Sequence, residues 1–323
     1  MRNRLEKELT SRVVQKYFFE CSNSLHNEII GLNNFVLPIC TALWNFRKTV
    51  ADEVAENSSV SAESLAKKYN KAPGARGTTN LLTAFRDTSW DEQLQGVAEL
   101  YLIGIISVYE YWCDEITEKL DNPDLAIKLQ FPTNATATNG VGYAINQITQ
   151  NQSATICGAI YPSLTRSKKY SLSHLENLLK CFRYFKELRN ALLHKGKVCD
   201  GKLWGAQSAF SPVANNANLG MKFTPQYSIF GIGDPVKANL HGVLGFTEVI
   251  LRMVTTIDAE LSRSEAAERH LVDRLKEAPN LPLTSTSKVQ NIFNNMGIQG
   301  VSITPDLNTL LKVNGIVRKG SNV

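Results

Sequence analysis

The sequence lacks several features that identify common classes of site. None of its six cysteines forms a C-x-x-C pair, and no metal-ligand spacing recurs, which argues against a zinc site. Gly231-Ile232-Gly233 lacks the third glycine and the preceding strand of a dinucleotide-binding motif. Internal repeats and low-complexity runs are also missing. We therefore predict no metal and no cofactor.

Long apolar runs are scarce as well. The most apolar stretch, residues 97–109, contains Glu99, is followed by Glu110 and falls short of the roughly 20 residues that span a bilayer. The first residues mix charges and lack the apolar core of a signal peptide. Dispersed cysteines are typical of buried thiols in a reducing compartment. We expect a cytoplasmic chain without a membrane association.

The charge of the chain is unevenly distributed. The net charge of +5 is too small to indicate a nucleic-acid partner. Residues 166–202, however, contain ten lysines or arginines and three acids, a local excess of seven. The rest of the chain is therefore slightly acidic, and a polyanion would be attracted to this one segment.

Helical periodicity of the apolar residues predicts an all-α protein. We divide it into an N-terminal helical region (1–90), a main helical domain (91–278), and a linker with a small C-terminal tail (279–323). The first helix of the main domain should span about 91–121. It is apolar on nearly all sides between Leu100 and Val108, which indicates deep burial.

An insertion rich in Gly, Asn, Ser and Pro interrupts the main domain at 198–233. It is predicted as a loop or as a β-hairpin with strands at 221–224 and 227–230. Asp234 followed by Pro235 then predicts the start of a long helix that reaches about residue 278.

One helix before the insertion carries the most informative pattern. Ser173 and Glu176 fit a capping box at its start, and Gly196 suits the left-handed residue that closes a helix. Apolar residues recur between them at helical spacing, at Leu175, Leu178, Leu179, Phe182, Phe185, Leu188 and Leu192. The pattern predicts a helix that buries one face and ends near residue 194.

Polar residues on this helix have the chemistry of a phosphate site. Lys186, Asn190 and His194 are spaced i, i+4, i+8 and lie on one face. An imidazole suits proton transfer at neutral pH, and Asn190 can orient the ring from one turn away. Arg189 lies on a neighbouring strip that continues the apolar stripe, so its guanidinium should point toward a packed surface or an interface. Its planar fork of donors suits a phosphate.

The segment Leu188-Arg189-Asn190-Ala191-Leu192-Leu193-His194 resembles the R-x(4–6)-H signature of HEPN domains, in versions typical of ribonuclease members such as the RiboL-PSP or MAE-like groups. The helix at 91–121, with Glu110, resembles the first helix of the HEPN bundle. The resemblance covers about 91–275 and implies a metal-independent endoribonuclease that leaves a 2′,3′-cyclic phosphate. The long insertion departs from the commonest arrangement.

The resemblance also implies roles for individual residues. His194 would be the general acid or base, Arg189 would stabilise the charged phosphorus, and Asn190 would orient. Candidate supporting acids are Glu110 and Glu187. The candidate RNA-binding residues are Lys186, Lys195, Lys197 and Arg183.

Members of the family without a partner domain often act as toxins or antiphage effectors, with a groove between two protomers. RNA, a second copy of the chain and an antitoxin or defence protein are therefore the expected partners. Two alternatives stay open: a non-catalytic HEPN module that binds RNA or nucleotide as a sensor or adaptor, and an α-helical interaction scaffold. In the scaffold, Arg189 would form a structural salt bridge to Glu110 or Glu187, and His194 would bond free carbonyls.

Overall fold

Helices dominate the computed structural model, which describes residues 17–69, 80–130, 139–194, 196–279 and 281–318. No strand forms within these ranges and three isolated β-bridges are present, so the predicted all-α class is confirmed. The fourteen α-helices of these ranges are α1 (Glu20–Glu56), α2 (Ala62–Tyr69), α3 (Trp90–Lys119), α4 (Ala126–Gln130), α5 (Gly140–Ile148), α6 (Ala154–Ala159), α7 (Tyr161–Leu164), α8 (Leu175–His194), α9 (Gly201–Phe210), α10 (Asn216–Leu219), α11 (Leu240–Leu261), α12 (Glu265–Lys276), α13 (Thr286–Asn295) and α14 (Pro305–Val313).

Four long helices, α1, α3, α8 and α11, pack together and form the main core. Aromatic rings join three of them: Tyr109 of α3 lies 4.6 Å from Phe182 of α8, measured between ring centroids. Phe185 of α8 stacks on Phe246 of α11 at 4.4 Å. Such pairs add about 0.5–1.5 kcal/mol to the apolar area that they bury. The apolar stripe of α8 is therefore held from two sides, as its spacing predicts.

The helix α1 belongs to two cores. Its first half, including Leu25 and Ile29, is buried in the main core. Its second half contributes Val50 to a small separate cluster with Leu65 and Leu81. The helix continues through Pro38. Residues 17–36 thus help to build the core that positions α3 and α8. The sequence had placed them in the N-terminal helical region (1–90).

The β-hairpin considered for the insertion is not formed. The segment holds α9 and α10, and residues 221–230 contain no strand. Their backbone groups bond to side chains of neighbouring helices: Phe230 N–H donates to Gln207 Oε1, and Ser228 N–H donates to the Tyr184 hydroxyl. Because these partners satisfy the backbone, the two segments do not pair with each other.

Three predicted helix boundaries were also wrong. The helix after the insertion begins at Leu240, where the Asn239 side chain accepts from Gly242 N, because Asp234 instead forms a turn with Gly231. That helix ends at Leu261, and Ser264 caps the separate helix α12. A 3₁₀ turn at Leu172–His174 leads into α8, so the capping box predicted at Ser173 is not formed.

Two helices of the described residues, α1 and α11, are long and apolar enough to span a membrane by length and composition. In α11, 72% of the most apolar 18-residue window is buried inside the protein, as in the core helix of a globular protein. In α1 the buried share of the corresponding window is 11%. The expectation of a chain without a membrane association stays a prediction.

A buried carboxylate fixes the chain where it enters α1. Asp258 of α11 accepts hydrogen bonds from the backbone N–H groups of Phe18 (2.7 Å) and Phe19 (3.1 Å). Arg274 of α12 donates to the carbonyl oxygen of Phe18 at 2.9 Å. Burial raises the pKa of Asp258 to about 7, although these hydrogen bonds and Arg274 act in the opposite direction.

Asp258→Asn should change how stability depends on pH. Between about pH 4 and about pH 7 the folded protein holds a proton on Asp258 that the unfolded chain has released. The stability that this group contributes is therefore present at low pH and is lost as the pH rises to about 7. Urea unfolding at about pH 5 and about pH 8 measures the free energy of unfolding of both proteins. Between about pH 4 and about pH 7, the wild type should lose up to about 1.4 kcal/mol per pH unit relative to the variant. Asp124→Asn, at an exposed position, is the control. A difference between wild type and Asp258→Asn that does not vary with pH would contradict the assignment.

Candidate functional site

The side chains of the candidate site lie on the last three turns of α8. This helix ends at His194, and Gly196 follows with a φ of +64°, the left-handed conformation predicted for it. Lys197 is also left-handed, with a φ of +59°. Two successive residues in this region turn the chain sharply away from the helix, which leaves the end of α8 at the surface.

Glu110 of α3 binds two cationic residues of α8. Its Oε1 atom lies 2.6 Å from Nη2 of Arg189 and 2.8 Å from Nζ of Lys186. Lys186 is 1% exposed, and its Nζ also donates to the carbonyl oxygen of Gln130 at 2.5 Å. Burial lowers the pKa of Lys186, and the hydrogen bond that its ammonium donates to Glu110 opposes this shift. Lys186, predicted as an RNA-binding residue, is thus enclosed between helices and does not face solvent.

The guanidinium of Arg189 is only partly engaged. Its Nη2 donates to Glu110, whereas its Nε is buried and has no hydrogen-bond partner among the described residues. A buried donor without a partner costs about 1–3 kcal/mol, so such donors are uncommon in folded proteins. The contact with Glu110 matches the structural salt bridge considered from the sequence, and it leaves Nη1 as the donor that could bind an anion.

Glu187 connects two more residues of α8. Its Oε1 lies 2.9 Å from Nε of Arg183, and its Oε2 accepts from Nδ2 of Asn190 at 3.3 Å. The amide of Asn190 therefore points toward Glu187, and no hydrogen bond joins Asn190 to His194 within the described part of the chain. The hydrogen bond expected from Asn190 to the imidazole is thus not formed in this arrangement, because a buried carboxylate one turn earlier accepts from its amide.

His194 lies at the exposed end of α8. It forms no hydrogen bond or ion pair with any other residue that the structure describes, so its imidazole is accessible to a ligand. Five residues on a helix correspond to a rotation of about 140°, so Arg189 and His194 leave α8 in different directions. One chain thus places both groups near the same helix end without direct contact.

The other predicted cations have different surroundings. Nζ of Lys197 lies 2.7 Å from Oε2 of Glu99 on α3, and Gln95 donates to the other oxygen of that carboxylate. Lys195 lies outside the described residues. Two acids of α3 thus bind three of these cations: Glu110 binds Lys186 and Arg189, and Glu99 binds Lys197.

Tertiary contacts reduce the positive charge that the sequence indicates. Within the stretch 166–202, carboxylates from other helices neutralise part of the excess of seven: Glu99 and Glu110 of α3, and Glu248 of α11, which pairs with Lys169. These three acids lower the local excess to four. Lys202 is exposed and has no ion pair among the described residues. Arg166 and Lys168 are also exposed and have no ion pair among the described residues, so the unpaired positive charge of the stretch lies at both of its ends.

Two features near this end were not predicted from the sequence. A cleft of about 680 Å³ separates the first turn of α3 from the start of α11, and Gln95, Lys237 and His241 are among the residues that line it. Trp204, in the first turn of α9, is 47% exposed. The available signal for Trp204 was its position two residues after Lys202, the last residue of the basic segment.

No protein-family model, no curated protein and no solved structure matches this chain. Any functional assignment therefore depends on the geometry of its own residues.

Removing the charge of Glu110 should destabilise the fold. Glu110→Gln leaves the buried cation of Lys186 without its anion, and we expect a loss of about 2–3 kcal/mol in the free energy of unfolding. Glu99→Gln is the matched control, since it removes an ion pair of α3 with a largely exposed lysine and should cost less than about 1 kcal/mol. Denaturant titration measures both.

Adding Lys186→Met to Glu110→Gln should recover part of the loss, because the double variant no longer buries an unpaired charge. An equal effect of Glu110→Gln and Glu99→Gln, or no recovery in the double variant, would contradict this description of the cluster.

Proposed function

We propose that this chain is a metal-independent endoribonuclease of the HEPN type, acting as a homodimer in a toxin or antiphage defence system. The observation that carries the proposal is the accessible imidazole of His194, which has no partner among the described residues. It lies at the same helix end as the guanidinium of Arg189, whose Nη1 forms no hydrogen bond among the described residues.

The chemistry required is the attack of a ribose 2′-hydroxyl on the adjacent phosphodiester. A base removes the 2′-hydroxyl proton, the bond from O2′ to phosphorus forms, the bond from phosphorus to O5′ breaks, and an acid returns a proton to O5′. An imidazole can perform either proton transfer near neutral pH. The free side of the Arg189 fork can bind the phosphoryl oxygens as their negative charge increases.

Glu110 supports this arrangement as a positioning residue. It binds one edge of the Arg189 guanidinium and thereby limits the rotation of a long, flexible side chain. The buried Lys186 lies against the same carboxylate oxygen and compensates part of its negative charge. The opposite edge of the guanidinium then keeps its capacity for a phosphate.

The separation of Arg189 and His194 around α8 favours a site built from two copies. In a symmetric dimer, the arginine of one copy can face the histidine of the other across a groove. In one chain the guanidinium and the imidazole lie on different sides of α8. In a dimer, the α8 ends of the two copies can bring them to opposite walls of one groove.

A second candidate is a non-catalytic module that binds RNA or nucleotide, or a helical scaffold. The ion pair between Arg189 and Glu110 favours it, because a guanidinium satisfied by a carboxylate can be purely structural. RNA bound to such a module would remain intact, and its affinity would fall steeply with salt.

His194→Ala should abolish RNA cleavage and leave the fold unchanged. We expect a decrease in rate of at least about 100-fold, because a general acid or base contributes that much or more. The variant should unfold within about 0.5 kcal/mol of the wild type, since the side chain is exposed. Cleavage of labelled RNA in EDTA, with identification of the product ends, measures the effect.

His241→Ala is the matched control, because His241 is another exposed helix-end histidine. It should cleave RNA like the wild type. Equal cleavage by the wild type and His194→Ala would remove the catalytic role of His194, and intact RNA bound by the wild type would favour the second candidate.

Mixing two inactive variants tests the shared groove. If the site combines Arg189 of one copy with His194 of the other, an equal mixture of Arg189→Ala and His194→Ala protein, unfolded and refolded together, should recover about one quarter of the wild-type activity. Half of the dimers in the mixture would then be heterodimers, and each heterodimer would have one intact site out of two. Each variant alone should be inactive, and a mixture that stays inactive while heterodimers form would contradict the shared groove.

A further inference from the structure

The outward side of α3 carries no charge over most of its length. The residues at helical spacing that point away from the core are Gln93, Gly96, Leu100, Gly104, Ser107 and Tyr111. Leu100 is 74% exposed, and Tyr111 is 64% exposed. The sequence predicts that this stretch is buried on nearly all sides, so a single chain leaves part of the expected burial unmet.

The adjacent side of α1 continues this surface. Phe35 is 65% exposed and borders a depression of about 340 Å³ between α1 and α3, with Gly31 and Gly104 also in its wall and Glu28 at its edge. Val108 lines both this depression and a smaller one next to Tyr111, so the surface is continuous. The two rings, each about two thirds exposed, offer roughly 200–300 Å² of surface. Contiguous apolar patches of that size or larger mark interaction sites.

We define the uncharged face by Gly96, Leu100, Gly104, Ser107 and Tyr111 of α3 together with Gly31 and Phe35 of α1.

The charges beyond the ends of the uncharged face favour an inverted copy of the same face. On the outward side of α3, Asp114 and Glu118 follow Tyr111, whereas Gln93 and Gly96 occupy the opposite end. In a parallel pair of these faces, each Asp114 would lie opposite the same carboxylate of the other copy, which is repulsive. In an antiparallel pair, Asp114 meets Gly96 and Glu118 meets Gln93. The face is therefore complementary to itself only when one copy is inverted.

The end of α8 runs past the middle of the uncharged face. Glu110 binds Arg189 at one end of this face, and Glu99 binds Lys197 at the other. His194 lies between these two cations along the chain and is therefore level with the middle of the face.

An antiparallel pair also brings the two α8 ends together. Its two-fold axis lies between the copies, perpendicular to α3 at the middle of the face, so both α8 helices lie on the same side of the contact. Because His194 is level with this axis, the imidazole of each copy is next to the α8 end that carries Arg189 of the other. The uncharged face thus gives the arrangement that a site shared by two copies requires.

We propose that a second copy of this chain packs antiparallel on the uncharged face, with Leu100 of each copy opposite Tyr111 of the other. Phe35 and the depression beside it lie at the same level as Leu100 and receive the tyrosine ring. Gly104 and Ser107, at the middle, allow the two α3 helices to approach closely. This inference rests on the proposed function for its shared site, and it names the surface through which the two copies meet.

Sedimentation equilibrium of the full chain measures the dissociation constant of the dimer. Leu100→Glu should weaken the dimer at least about 100-fold, because a symmetric pair then buries two unpaired carboxylates. Tyr111→Lys should weaken it to a similar extent. Combining the two substitutions in one chain should restore most of the affinity, since each carboxylate then meets an ammonium group of the other copy. Val313→Glu, at a 78% exposed apolar position of α14, is the control and should dimerise like the wild type.

A monomeric wild type, or single variants that dimerise like the wild type, would overturn the inference. Monomeric single variants whose combination also stays monomeric would overturn the antiparallel register, and the inference with it.

RNA cleavage by the same proteins separates this inference from the proposed function. The monomeric single variants should lose cleavage, and the combined variant should regain it. If the wild type dimerises through this face but cleaves no RNA, the inference stands and the proposed function fails. If the wild type cleaves RNA while Leu100→Glu stays dimeric, the proposed function stands and the inference fails.

Discussion

The contact of Glu110 with Lys186 and Arg189 is the interaction on which the candidate site depends. One carboxylate oxygen binds both cations between α3 and α8. Placing two positive charges on one buried helix face is costly unless an anion compensates them. The glutamate therefore allows α8 to pack its apolar stripe into the core while it carries an arginine near the surface. It also turns one edge of that guanidinium away from any ligand.

A second constraint is the distribution of charge along α8 and the turn that follows. Acids of α3 hold cations in the second half of α8 and in the turn after it, through Glu110 and Glu99. These contacts lower the net positive charge and fix where the remaining charge lies. His194, Lys202 and Trp204 are all exposed in this part of the surface.

The sequence predicted α8 well because its signals are local. The apolar spacing and the glycine after residue 194 both report on neighbours within one or two turns, and both were confirmed. The hairpin in the insertion was wrong for the opposite reason. Residues 221–230 alternate like strands, but their hydrogen-bond partners are side chains of α8 and α9, such as Tyr184 and Gln207. Alternation in the sequence does not indicate which atoms will satisfy the backbone.

By itself the sequence determined the helical class, the extent of the motif helix, and the residue types that could act on a phosphate. Tertiary structure alone decided the state of each group: Lys186 enclosed, Asn190 turned to Glu187, Arg189 half-engaged and His194 open to solvent. The reason is distance along the chain. Arg189 meets Glu110 across 79 residues, and a periodicity of a few residues carries no information on contacts of that range.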